Sequence, residues 1–159
     1  LIGRVGTRCT ACWFTLLVGD TMGRTVERIT VQSFEDFLET MKGRLDPNQV
    51  RRVEVEALVD TGATYVCLPP TVIEQLGLSY SHTRRVKTAN GDVERRVFMG
   101  ASITIQGRTE QMSVMENNET TPPLIGYLVL EALDLVVDPR SQKLIPNPAH
   151  GGKWMADLY

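Results

Sequence analysis

The sequence predicts a mainly β domain, and three observations carry that expectation. Apolar residues alternate at period two along several short runs, Gly and Asn-Gly turn signals separate those runs, and only two or three segments show helical spacing. With 159 residues, 42% of them hydrophobic and 23% charged, the chain is long enough for one domain with a real core.

The elements follow in order. Arg24–Gln32, "RTVERITVQ", reads as a strand with imperfect alternation. Ser33 is placed as a helix N-cap with Asp36 three residues on, and Phe34, Phe37, Leu38 and Met41 fall on one helical stripe that Gly43 ends. "LDPNQ" is a turn, after which Val53, Val55, Ala57 and Val59 alternate as a strand with one buried face. "TYVCLP" extends again. "PPTVIEQLGL" is a short helix with Pro70 in its first turn, Val72, Ile73 and Leu76 on its buried face and Gly77 at its end. Asn90-Gly91 is the strongest short hairpin signal, and Val97, Met99, Ala101, Ile103 and Ile105 alternate behind it. Gln106-Gly107 begins a second turn. "LIGYLVLEALDLVVDP" runs from an apolar strand through a short helix into "LVVD", and "QKLIP" is a last strand.

Composition narrows the partners. The net charge of -2 leaves no footprint for nucleic acid. The pairs Arg51-Arg52, Arg84-Arg85 and Arg95-Arg96 have acids close by and read as solvated edges, a basic substrate-binding rim being the alternative. Three cysteines, Cys9, Cys12 and Cys67, argue against a disulfide framework and suit a reducing, cytoplasmic compartment. Cys9-x-x-Cys12 has no second pair, and His82 and His150 are distant in sequence, so neither metal nor cofactor is expected. Arg4 and Arg8 precede "ACWFTLLVG", which has the look of a signal peptide without its cleavage site and is too short to span a membrane. The chain starts at Leu1, and Met22 is the more natural start. Residues 1–21 are therefore expected to be a peripheral extension or an artefact of production, 22–147 the working domain and 148–159 a loose tail.

One stretch asks for chemistry. In "VEVEALVDTGATYVCLPP" an acid, Asp60, ends an apolar strand and enters a turn with Thr61 and Gly62. Asp and Gly suit a turn for ordinary reasons. The apolar flanks on both sides, however, place the acid at an inner turn, where an ionised group without partners is costly. A carboxylate kept there has a partner or a task. No second Asp-Thr-Gly occurs, and Asp134 and Asp138 lack a following Thr-Gly. If two chains meet at this turn, two Asp60 carboxyls share a proton, one acting as acid and one as base. Such a pair activates a water and protonates a leaving amine.

"ALVDTGAT" resembles the active-site motif of retropepsin-like aspartic proteases, closer to the small prokaryotic single-domain members than to the viral ones. The resemblance spans Val53 to Pro146: the Asp60-Thr61-Gly62 triplet, a hairpin containing Ala89, Asn90 and Gly91, the later Leu124-Ile125-Gly126, and a helix-like "YLVLEALDL". It implies a closed β-barrel of the acid protease fold with two or three short helices, one lobe per chain, and a homodimer acting on a peptide or protein substrate. Asp60 supplies half the catalytic dyad in that picture. Thr61 braces the two loops, Gly62 and Ala63 lie along the substrate backbone, and Thr64 hydrogen-bonds near the carboxylate. The hairpin around Lys87–Val97 is the flap, and Leu124, Ile125 and Gly126 support the loop from behind. The flap tip departs from the viral pattern: "TANGDVERR" is polar and charged, not glycine-rich. The alternative is a non-cleaving dimeric domain of the same fold that binds extended peptides or serves in assembly. Elsewhere, Trp13 and Trp154 are read as packing residues, Cys67 as a buried small hydrophobe, and His82 and His150 as surface groups.

Overall fold

The computed structural model describes residues 24–156. The readings made for residues 1–21, and for Cys9, Cys12 and Trp13, lie outside them.

Strand β1 (Val26–Ser33) leads directly into helix α1 (Phe34–Met41), and β2 (Arg52–Val59) returns antiparallel to β1 with Val31 opposite Val53. A short strand β3 (Val66–Leu68) precedes helix α2 (Pro70–Leu76). Three long strands follow, β4 (Ser79–Thr88), β5 (Gly91–Ile105) and β6 (Arg108–Glu116). The chain ends with β7 (Leu124–Ile125), helix α3 (Tyr127–Ala132), and the paired strands β8 (Leu135–Asp138) and β9 (Lys143–Pro146). The last strand thus pairs within its own chain.

The main sheet runs β1-β2-β7-β3-β6-β5-β4, and β1 also pairs with β5 from Thr30↔Thr104 to Ser33↔Ala101. Six strands therefore close into a ring, which removes the unpaired edges an open sheet would expose. Inside it Ile29, Val31, Leu68, Ile103, Ile105 and Ile125 are fully buried, with Leu76 of α2 and Val129 of α3 closing the core. β4 lies outside the ring. With the first half of β5 it forms a long hairpin arm.

That arm departs from the expected alternation. Phe98 faces Val114 while Ala101 faces Met112, so β5 carries one extra residue at Met99-Gly100. Gly100 takes φ +79°, a left-handed conformation that suits glycine. The bulge reverses parity: Phe98 is buried and Met99 is 50% exposed, whereas Ala101, Ile103 and Ile105 keep the inward face. At the tip, Thr88 pairs with Gly91, so Ala89 and Asn90 form the turn itself. The Thr88 hydroxyl donates to the Gly91 carbonyl (2.8 Å) and accepts from the Asn90 N–H (3.2 Å).

Helix α1 has the predicted Ser33 N-cap, whose hydroxyl accepts from the Asp36 N–H (3.4 Å). Its apolar stripe does not form a buried face: Phe37 and Met41 are exposed, while Asp36 is buried. Arg51 accounts for the inversion, donating from Nε (2.7 Å), Nη2 (2.6 Å) and its backbone N–H (3.0 Å) to the Asp36 carboxylate. The Arg51 guanidinium also lies against Gly77, leaving no room for a Cβ there. Arg51 is thus a structural tie between α1, β2 and the end of α2, not a solvated edge. Removing one partner of a buried pair is costly, and the half-exposed Arg51 lessens that cost. Asp36→Ala is expected to lower stability by about 2 kcal/mol in urea unfolding at neutral pH. The Arg51 hydrogen bonds, working against burial, hold the Asp36 carboxyl below its ordinary 3.8. Its contribution is therefore present above that value and lost as pH falls through the lowered one, so the wild-type advantage over the variant should shrink in strong acid.

The C-terminal segment, expected to be loose, is tied down as far as Met155. Buried Asp134 accepts from the Met155 N–H (3.2 Å) and pairs with His150 Nδ1 (2.9 Å). Arg108 donates to the carbonyls of Leu133 (2.6 Å), Asp134 (2.8 Å) and Gly152 (2.8 Å), and Trp154 Nε1 donates to the Ala132 carbonyl (3.0 Å). His150 is accordingly not a free surface group; it belongs to the buried polar cluster that anchors the tail.

Candidate active site

The Asp60 turn begins where β2 leaves the ring. β7 runs parallel to β2, pairing Leu58 with Leu124 and Val59 with Ile125. The Asp60 N–H continues that ladder by donating to the Ile125 carbonyl (2.9 Å). The chain then reverses: the Ala63 N–H donates to the Asp60 carbonyl (3.0 Å), and the Gly62 N–H donates to Asp60 Oδ1 (2.9 Å). The carboxylate is oriented by its own turn.

Leu124, Ile125 and Gly126 lie directly behind this loop. Tyr127 N–H donates to the Ala63 carbonyl (2.8 Å) and Leu128 N–H to the Thr64 carbonyl (3.3 Å). A Cβ on Gly126 would sit 2.5 Å from the Tyr65 carbonyl oxygen and 2.6–2.7 Å from the Thr64 carbonyl group. Only glycine permits this approach of two backbones. The start of α3 and the Asp60 loop are thereby locked as one unit.

Asp60, Thr61 and Gly62 are exposed in the single chain. This corrects the inner setting expected from the apolar flanks. Val59 and Val66 turn toward the core, while the turn between them projects beyond the end of the ring. The Thr64 side chain makes no hydrogen bond to the carboxylate among the described residues; the Gly62 N–H makes that contact instead.

A cleft of about 540 Å³ opens beside the turn. Gly62 to Tyr65 form one wall and the β4 segment Arg84–Thr88 the other, with Cys67, Arg95, Met115 and Asn117 between. The Ala89-Asn90 tip lies just beyond this wall. Arg84 reaches across, hydrogen-bonding the Tyr65 hydroxyl and lying 5.5 Å above its ring. Tyr65 has no mark of its own in the sequence, and Arg84 and Arg95 belong to pairs that read there as solvated edges, with a basic substrate-binding rim as the alternative. Their register opposite one another on a hairpin over the motif was the available signal.

Burial, partly offset by Arg95 and reinforced by Asp60, pushes the Cys67 thiol up to about 11. Its Sγ lies 3.7 Å from the Tyr65 carbonyl. The thiol stays protonated at neutral pH, which fits a small hydrophobe and not a nucleophile. Site-resolved alkylation by iodoacetamide at pH 8 should modify Cys67 at least about a hundredfold more slowly than a free thiol. Equal rates would contradict this burial. Among the described residues no group of three His, Cys, Asp or Glu side chains is placed to hold a metal ion. Nor is any helix among them long and apolar enough to cross a membrane.

Comparison with known proteins places the chain in a family. The family model described as "gag-polyprotein putative aspartyl protease" matches residues 47–132, over half the chain, from the turn before β2 through α3. The chain belongs to that aspartyl protease family, and its mainly β, retropepsin-like fold with short helices is the one expected from sequence. Among solved structures, it is similar to the EIAV protease complexed with the inhibitor HBY-793, at 18% identity and a TM-score of 0.41, covering 49% of this chain and 75% of that one. No curated protein matches it.

Proposed function

We propose that this chain is an aspartic endopeptidase that works as a homodimer, with one Asp60 from each protomer. The observation that carries the reading is the Asp60-Thr61-Gly62 turn, whose carboxylate is exposed and oriented by the Gly62 N–H beside an open cleft. One chain holds one such motif, and one carboxylate cannot be acid and base in the same step. Two brought together about a two-fold axis share a single proton. The ionised partner takes a proton from water as it attacks the scissile carbonyl, and the protonated partner stabilises the developing oxyanion. The proton taken from water then passes to the amide nitrogen as the C–N bond breaks, leaving a carboxylic acid and an amine.

Thr61 and Gly62, exposed in the protomer, are the residues through which the two loops would meet. The β4–β5 arm would fold over an extended peptide, adding backbone hydrogen bonds as a strand does. The free Cys67 thiol fits a reducing, cytoplasmic setting.

The test is digestion of a diverse peptide library from acidic to neutral pH, read by mass spectrometry, with sedimentation at several protein concentrations. Cleavage by a species of twice the chain mass supports the reading. A stable dimer that binds peptides and yields no product would favour the non-cleaving domain instead.

A further inference from the structure

The cleft is lined by a charge imbalance that catalysis does not need. Four cations border it, Arg84, Arg85, Lys87 and Arg95, against one acid, Glu116. Glu116 is already taken by Arg96, through Nη2 at 2.5 Å and Nε at 3.1 Å. Arg85 is satisfied by Asp92 at 3.2 Å. Arg84 has only the Tyr65 hydroxyl and ring, and Arg95 and Lys87 have no hydrogen bond or ion pair among the described residues.

The register sharpens the point. Arg84 and Arg95 are directly opposed across β4 and β5, so their side chains leave the arm on the same face. Like charges in opposed positions destabilise a hairpin. Arg84 shows that this face looks onto the Asp60 loop, because it touches Tyr65. Arg95 is half-buried and also borders the cleft. Two adjacent guanidiniums, each a planar fork of donors, match a carboxylate set between them.

We propose that Arg84, held by Tyr65, and Arg95 form a subsite for an acidic side chain of an extended peptide substrate. This rests on the endopeptidase reading above and names its preference. A peptide laid between the Gly62–Tyr65 wall and the arm directs alternate side chains toward the arm. One of them then meets the paired arginines. A charged partner also removes the repulsion between Arg84 and Arg95, so occupation should hold the arm down over the loop.

The experiment uses the full chain and a set of neutral ten-residue peptides in which one Glu or one Gln is moved through every position. Binding is measured by fluorescence anisotropy with the Asp60→Asn protein, and cleavage separately with wild type. At one position the Glu peptide should bind roughly tenfold more tightly than its Gln counterpart, as a charge-assisted hydrogen bond in a partly wet site allows. The Glu-to-Gln ratio should fall toward one in Arg95→Gln and shrink as salt is raised. Equal binding of Glu and Gln peptides at every position overturns the proposal, whether or not wild type cleaves. A Glu preference in binding without any cleavage leaves the subsite standing and removes the endopeptidase reading. Displacement of the Glu peptide by a single-stranded oligonucleotide at lower concentration than by free Glu peptide would also overturn it, marking the arginines as a phosphate-binding surface.

Discussion

Asp60→Asn is expected, on the homodimeric endopeptidase proposed above, to lose peptide cleavage by on the order of 10⁴-fold while keeping its fold and the proposed dimer. Among the described residues the carboxylate makes one hydrogen bond, accepting from the Gly62 N–H at 2.9 Å, and an asparagine Oδ1 can accept the same bond. The turn should therefore survive. An amide, however, neither takes a proton from water nor returns one to the leaving amine, so both halves of the acid–base exchange are lost together. Because Asp60 is exposed in the single chain, its replacement removes no packing. Thermal unfolding and sedimentation should match wild type within error. Activity retained in this variant would remove Asp60 from the mechanism, and a collapsed Tm would turn the loss of activity into a folding effect.

The second large effect is expected at a residue with no chemistry. Gly126→Ala forces a methyl to within 2.5 Å of the Tyr65 carbonyl oxygen and 2.6–2.7 Å of the Thr64 carbonyl group. All three atoms are backbone, so no side chain can rotate away. Relief requires parting β7 and α3 from the Asp60 loop, which breaks the Tyr127–Ala63 and Leu128–Thr64 hydrogen bonds and opens a core that includes Ile125 and Val129. Overpacking of this kind costs about 3 kcal/mol, or roughly 10 °C in Tm for a domain of this size. Calorimetry should register that fall, and any folded remainder should cleave poorly because the loop is misplaced. A Tm unchanged from wild type would mean that the two backbones are less tightly locked than their spacing requires.

These two residues also mark how much the sequence disclosed. The Asp60 turn was legible because an acid after "ALV" breaks a local apolar pattern, and the α2 helix because Pro70 and Gly77 bracket it. Local signals of that kind located most strands and both hairpin turns. What stayed hidden was non-local. The β1–β5 pairing that closes the ring joins residues some seventy apart and leaves no periodic mark. The bulge at Met99-Gly100 reversed the parity of β5, because alternation counts residues and cannot see one that fails to pair. Asp36 was read as a helix-start acid, and its bond to Arg51 fifteen residues on turned the helix over. The same applies to His150 with Asp134 and to Arg84 with Tyr65: each side chain looks like surface until its partner is folded against it. The exposure of the Asp60 turn fits the same pattern in the opposite direction. Its apolar neighbours predicted burial, and what a protomer leaves open there is the surface a second copy would cover.

The central claim, that one site is built from two chains, is tested most directly by mixing. Wild type and Asp60→Asn are combined in equal amounts, unfolded and refolded together so that protomers pair at random, and cleavage is compared with the same total concentration of wild type. If each site needs two Asp60 carboxylates, activity falls to about one quarter, since only that fraction of random pairs carries both. Activity of about one half, scaling linearly with the share of wild type, would mean that each chain cleaves by itself and would contradict the shared site.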